Sequence, residues 1–487
     1  MKKALSLVCV LLALLMILPS CQKKADSGEY DHSADFTEED GEIYKSVPTT
    51  RYKDYEFCIL NARMGAGTSA SLMDAEGIMG DSLNEALVRR NINVEERLGI
   101  SVSEVVDTPE KVFDMSVAAC LSGEGTYDAI CNSSDRMATM AVCGYLVTDV
   151  YLPGMDLTKP WWNEKAIEGV SVNETRYLFY GDLQLSYYDS HSMVGVNMDM
   201  VKDISTLPDP YKLVERGEWT LDRMLEMMTV AASDTDGNNL MTKDDRYGGA
   251  VDRRSILSLI SGAGAVLSEK DKQGIPTLSC FTDDLLYDVF KKVSDSLYAY
   301  NRYVYDPVKN EADGMSSAAM FKSGRTLFHI TTVGTLADLR NMEYEFGVLP
   351  MPKYTESQSR YISLINAAEC SAIGVLPTGR DLRRTSNILE NLAAESHRQS
   401  GIKSCYVDSV LSFMYVNDEK SRENLELIFS TGTFEQCQVY NWGGICPLLE
   451  EIAPKSESFS SRLAAIRMKA VEEVGNTVIE LLKFKQK

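Results

Sequence analysis

Twelve consecutive residues have the composition and spacing to hold a metal ion. In Asp234-Thr235-Asp236-Gly237-Asn238-Asn239-Leu240-Met241-Thr242-Lys243-Asp244-Asp245, oxygen-bearing side chains fall at the first, third, fifth, ninth and twelfth positions. These are Asp234, Asp236, Asn238, Thr242 and Asp245, and Leu240 would add its main-chain carbonyl. Calcium is a hard cation that takes roughly six to eight oxygens, which suits such a loop. Two features depart from the strict pattern. The sixth position is Asn239 instead of glycine, although Asn tolerates a left-handed turn. The twelfth is Asp245, shorter than Glu and less able to bind through both oxygens. The alternative is an acidic turn without metal. Nothing nearby looks catalytic, so a bound ion would be structural.

Other chemistry is thinly signalled. The four histidines (His32, His191, His329 and His397) are widely spaced, and there is no His-Glu-x-x-His. No nucleophile elbow Gly-x-Ser-x-Gly and no phosphate-binding loop occurs. The 71 acidic residues leave a glycosidase carboxylate pair an open question. Gly65-Ala66-Gly67-Thr68-Ser69-Ala70 superficially matches a dinucleotide fingerprint, but no helix start follows it. No catalytic residue is assigned, and no cofactor is required beyond the candidate calcium.

The first residues decide the compartment. Lys2 and Lys3 precede an apolar run from Ala4 to Ile17, of signal-peptide length and too short for a comfortable membrane span. Leu18-Pro19-Ser20-Cys21 then resembles the bacterial lipoprotein cleavage box, with Pro19 unusual in its place. Residues 1–20 are read as a removed leader and Cys21 as the acylated first residue of the mature chain. Each buried methylene contributes roughly 0.8 kcal/mol, so two or three chains would hold the protein on the extracytoplasmic face of the bacterial cell membrane. An ordinary secretory signal is the alternative. The formal charge of −22 argues against nucleic acid as a partner. Cys9 and Cys21 belong to the leader; none of the other nine cysteines forms a Cys-x-x-Cys pair. Most sit beside apolar residues and read as small core hydrophobes. Nine thiols without disulfide spacing in an exported protein hint at a reducing habitat.

Residues 21–48, polar and acidic, read as a flexible tether. Beyond them the pattern alternates. Tyr55 to Leu60 is strand-like. Ser82-Leu83-Asn84-Glu85 has the form of a capping box, with Leu83, Ala86, Leu87, Val94 and Leu98 on one helical face and Gly99 placed to stop it. Ile100 to Val106 and Tyr127 to Cys131 read as strands. Thr108-Pro109 opens a helix through Phe113, Val117 and Cys120. Trp219-Thr220-Leu221-Asp222 begins a helix with Leu221, Met224, Leu225 and Met228 inward. Helices are predicted over 281–300, 385–398, 419–430 and 458–482, and strands over 325–333 and 346–350. This is an α/β pattern.

Several segments together resemble bacterial extracellular solute-binding proteins of ABC importers, in the group that binds sugars. They are Asn93-Val94-Glu95-Glu96-Arg97-Leu98-Gly99-Ile100, Tyr127-Asp128-Ala129-Ile130, Gly144-Tyr145-Leu146-Val147-Thr148-Asp149, and Pro160-Trp161-Trp162. Gly195-Val196-Asn197, Asp209-Pro210-Tyr211, Gly217-Glu218-Trp219-Thr220, Met320-Phe321-Lys322-Ser323-Gly324-Arg325, Phe346 to Lys353 and Asn441-Trp442-Gly443-Gly444 come after them in family order. Val196 departs from the aromatic usual before the Asn. The resemblance implies a type II periplasmic-binding-protein-like α/β fold of two lobes joined by crossover strands. One lobe would span 49–185 and 358–435, the other 190–355 and 440–487. It also implies a ligand-driven closure that an ABC permease recognises, in a protein expected to act as a monomer.

Sugar binding needs aromatic faces for pyranose rings and short polar side chains for hydroxyls. Trp161 and Trp162, Tyr187-Tyr188-Asp189 near an interlobe strand, Asn132 and Asp135 after a strand, Arg63 past the first strand and Trp442 in a Gly-flanked loop are the candidates. For each a structural role is the alternative: hinge packing for the Trp pair, helix capping for the Asn132–Asp135 stretch. Trp219 reads as core. The expectation is an anchored protein that captures a sugar or oligosaccharide and performs no chemistry. A surface glycan-active enzyme, or a receptor for a peptide or other non-sugar solute, are the alternatives.

Overall fold

The computed structural model describes residues 38–64, 81–298, 303–311, 314–416, 418–455 and 458–485. The leader, Cys21 and the stretch Gly65–Ala70 lie outside the described residues. The chain divides into two units, Met1–Glu42 and Ile43–Lys487, and both sheets belong to the second. Part of the expected tether is ordered: Glu38–Ser46 is a helix, and Val47 is buried among core residues. Among the described residues no helix is long and apolar enough to cross a membrane.

The first sheet has four strands: β1 (Tyr55–Ala62), β2 (Ile100–Asp107), β3 (Ala129–Ser133) and β12 (Ser371–Gly374). Their order is β12-β3-β1-β2. β1, β2 and β3 are parallel, and β12 runs against β3. β1 and β3 are central and largely buried, whereas β2 alternates buried and exposed as an edge strand does. The second sheet contains β4 (Ser192–Asn197), β5 (Tyr247–Ala250), β8 (Val304–Tyr305), β9 (Thr326–Thr332) and β10 (Phe346–Leu349). Their order is β10-β4-β9-β5-β8. Here β5, β8 and β9 are parallel, and β4 is antiparallel to both β9 and β10. A small hairpin, β6 (Glu269–Lys270) with β7 (Pro276–Thr277), stands apart from both sheets.

Helix ends obey local chemistry. In α1 (Asp81–Leu98) the expected face is buried, and Gly99 stops the helix at φ 62° with its N–H on Glu95 O. The helix already begins at Asp81, so Ser82 lies within its first turn instead of capping it. α2 (Pro109–Ser122) is capped by Thr108, whose Oγ1 accepts the Lys111 N–H, and Gly123 ends it at φ 73°. Its buried face is Val112, Ser116 and Ala119; Phe113, Val117 and Cys120 are half-buried flanks. Close approach to the sheet selects the small side chains, and the Ser116 hydroxyl is satisfied by Val112 O. α3 (Ser134–Val142) begins directly after β3. α4 (Leu221–Ala231) is capped by Thr220 and buries Met227 more deeply than Leu225. α5 (Ser255–Gly262), α6 (Leu382–His397) and α7 (Phe459–Lys485) are the other helices that bear on the site and its supports.

Two large apolar clusters form around the sheets. The chain passes between them at three places that lie side by side. Asn366 N–H bonds Ser190 O (2.9 Å), Ile365 N–H bonds Thr433 O (2.8 Å), and Ser363 N–H bonds Thr431 O (3.3 Å). β11 (Ser363–Leu364) pairs in parallel with β13 (Gly432–Thr433). His191 forms a bridge to Ile365 on the other side. The clusters are not cleanly divided along the chain: Val333, Leu336, Leu339 and Leu481 pack with the first, and Tyr177 Oη donates to Leu481 O (2.7 Å).

Candidate functional site

In open α/β sheets, ligands bind beyond the carboxyl ends of the parallel strands, where strand order reverses. In the first sheet those ends deliver Arg63, Thr108, and Ser134 with Asp135. In the second they deliver Asp252 to Arg254, Asp306, and Thr331 to Thr335. One strand end of each set, that of β3 and that of β9, reaches the crossovers. Residues 366–370 sit on the end of β3, where Ser134 N–H bonds Ala367 O and Cys370 O (3.0 and 2.9 Å). From the end of β9, Val333 N–H bonds His191 O (2.9 Å), and Thr332 Oγ1 donates to Glu369 Oε2 (3.0 Å).

The residues singled out by sequence divide sharply. Arg63 is exposed at its strand end, its N–H on Asp107 O. Asp135 is half-buried beside β3 and accepts from Ser133 Oγ and Arg136 N. Asn132 is fully buried and braces the chain, its Nδ2 on Pro109 O and its Oδ1 on Ser133 N–H. The aromatic candidates are enclosed. Trp161 and Trp162 are 2 % and 4 % exposed; Trp162 Nε1 donates to Glu390 Oε2 on α6 (2.7 Å), and Trp161 stands edge-on to His397. Trp442, 1 % exposed, stacks on Tyr440 and donates to Thr477 Oγ1 (3.0 Å). Tyr187, Tyr188 and Asp189 are buried in the first crossover; Tyr188 Oη bonds Asp182, and Asp189 accepts from Tyr406 Oη. A stacking platform needs a free ring face; in this structure these rings are enclosed and pack against protein. Sequence reasoning also passed over Glu369 and the nearby Arg254. They belong to no motif, and only the fold brings them near one another.

Electrostatics separate the carboxyls. Burial pushes Glu390 up to about 7, against the pull of the Trp162 bond. Burial also raises Glu369 and Glu450, which Thr332 (for Glu369) and the nearby Arg254 (for both) partly counter. Glu369 is open to solvent, while the protein around it raises its carboxyl above the ordinary range.

The acidic loop brings Asp234, Asp236 and Asp245 together, with one ligand atom of each within 4.8 Å of the others. Asn239 takes the left-handed turn at φ 66°, as its place in the pattern predicts. Asp234 accepts the N–H groups of Gly237 and Asn239 (both 2.7 Å), while Asn238 and Thr242 bond Asp236 and Asp245. The Leu240 side chain is exposed. Burial would raise Asp245, but N–H groups of Thr242 and Thr235 outweigh it and hold the carboxyl below its ordinary range.

No family model and no curated protein matches the chain. Solved structures do. An ABC substrate-binding protein from Listeria monocytogenes in complex with cycloalternan matches at TM-score 0.52 and 11 % identity, over 89 % of this chain and 100 % of that one. A sugar transporter protein from Rhizobium etli in an open conformation matches at 0.55 and 10 %, over 88 % and 98 %. A maltose/maltodextrin-binding domain from Bdellovibrio bacteriovorus bound to maltotriose matches at 0.50 and 14 %, over 89 % and 100 %. At such identities the likeness is one of architecture: this chain has the two-lobed α/β fold of the type II substrate-binding proteins of ABC importers.

Proposed function

We propose that this protein is an extracytoplasmic solute receptor, held on the membrane through Cys21, that captures a sugar or oligosaccharide by lobe closure and passes it to an ABC permease. The observation that carries this reading is that one parallel-strand end from each sheet, β3 and β9, meets the adjacent crossovers. Proteins of the same fold have been captured with cycloalternan and maltotriose. Binding without chemistry fits the placement of Glu390. The carboxyl raised to about 7 would suit a general acid, but it is enclosed beneath Trp162 and out of reach of a glycosidic oxygen. Calorimetry of the leaderless protein against linear and cyclic glucans and manno-oligosaccharides tests the reading. Saturable binding with the glycan recovered intact is the expected result; hydrolysis would favour the enzyme, and binding of peptides alone the non-sugar receptor. Radiolabelled palmitate should enter the full chain and not Cys21→Ser.

The acidic loop is proposed to be a structural calcium site. Millimolar calcium is expected to raise Tm by a few degrees, as a ligand near a hundredfold over its Kd contributes about 2.7 kcal/mol. Asp234→Asn with Asp236→Asn should abolish the shift. An unchanged Tm of the wild type would leave the loop an acidic turn.

A further inference from the structure

We propose that Glu369 is a principal ligand contact, its carboxylate accepting two neighbouring hydroxyls of the bound sugar. This rests on the receptor reading and assigns that receptor a specific contact. Three observations carry it. Glu369 stands between one strand end of each sheet, on a segment bonded to the end of β3 and tied through its side chain to the end of β9. The segment is rigid: Asn366 O accepts the N–H groups of Glu369 (3.1 Å) and Cys370 (2.8 Å), and Asn366 Oδ1 accepts that of Ala368 (3.1 Å). The backbone that carries the side chain is therefore fixed by its own hydrogen bonds, which lowers the entropy cost of binding. Its side-chain partner is a hydroxyl at the end of β9, Thr332 Oγ1 on Oε2.

That last contact indicates the ligand chemistry. An ionised carboxylate is acceptor-only, with about four lone-pair sites. Here one site accepts a threonine hydroxyl, and the remaining sites can accept further hydroxyls. A sugar diol can replace one alcohol with two, with charge-assisted bonds roughly twice as strong as neutral ones. Arg254, lying electrostatically close to both Glu369 and Glu450, opposes the upward push that burial gives each carboxyl. The competing role is a plain interlobe tie, in which Thr332 and Glu369 matter equally and no ligand is touched.

Calorimetry with maltotriose, cyclic glucans and mannotriose on wild type, Glu369→Ala, Glu369→Gln and Thr332→Val separates these roles, with melting curves confirming the folded state. Removing a charge-assisted acceptor should weaken binding about ten- to a hundredfold in Glu369→Ala. Glu369→Gln should lose affinity as well, and it carries the test alone if the alanine variant fails to fold. Thr332→Val should stay within about threefold of wild type. A wild type that binds while both Glu369 variants match it overturns this assignment and leaves the receptor reading standing. A Thr332→Val loss as large as that of Glu369→Ala makes the pair a tie and also overturns it. A wild type that binds none of these glycans removes both.

Discussion

Gly432→Ala is expected to destabilise the protein by about 1–3 kcal/mol, an unusual cost for adding one methyl. Gly432 sits in the third crossover, on β13, directly against the imidazole of His191. A Cβ there would lie 2.3 Å from Nε2 and 2.8 Å from Cδ2. Real side chains do not approach so closely, and this ring cannot swing away. It is fully buried, its Nδ1–H donates to Tyr187 O (2.8 Å), and it stands edge-on to Tyr187 and Phe429. The backbone at Gly432 and the segment carrying His191 must therefore move apart. The cost should fall when the obstacle is removed. In a double-mutant cycle with His191→Ala, urea denaturation at pH 7 should give a favourable coupling above about 1 kcal/mol. Additive effects would mean that Gly432 and His191 do not share the space the structure gives them.

The second large effect is on the acid side. Burial pushes both His191 and His329 down to about 4 from an ordinary value near 6.5. The carbonyl of Tyr187 accepts only, so His191 carries its proton on Nδ1 and its Nε2 would need a new acceptor on protonation. No partner for it occurs among the described residues. Between pH 6.5 and 4 the unfolded chain binds a proton at each of these positions and the folded chain does not. Stability from each is complete above pH 6.5 and is lost as pH falls toward 4, by about 3 kcal/mol per histidine. Glu390 acts with the opposite sign. Its raised value means that the folded state holds a proton first, so its contribution improves as pH falls from 7. Differences between variants isolate the histidines. Wild type minus His191→Gln/His329→Gln, measured in urea, should shrink by roughly 6 kcal/mol from pH 7 to pH 4. A pH-independent difference would contradict neutral buried rings.

Elements governed by near neighbours were legible in the sequence. Thr108 and Thr220 cap the helices they precede, Gly99 ends its helix, and Asn239 turns left-handed, because each depends on a few adjacent residues. Strand–helix alternation gave the fold class for the same reason. The site was harder to read. An aromatic residue after a proline or beside glycines offers a platform or a core plug equally well, and the decision is made elsewhere. Trp162 is fixed by Glu390, 228 positions away. Trp442 is fixed by Thr477. Glu369 lies on a segment whose neighbours are the ends of β3 and β9, and no local pattern announces that. On α2 the periodicity was right, but the face was rotated toward Ser116, since a satisfied hydroxyl can pack where a larger apolar group cannot.

The central claim is that two lobes close on a sugar and release it unaltered. Small-angle scattering of the leaderless protein, titrated with the glycan that calorimetry identifies, addresses it most directly. A radius of gyration that falls with saturation, and recovers when the intact glycan is dialysed away, is the predicted result. A radius that stays constant while the glycan is bound, or a glycan recovered cleaved, would contradict it.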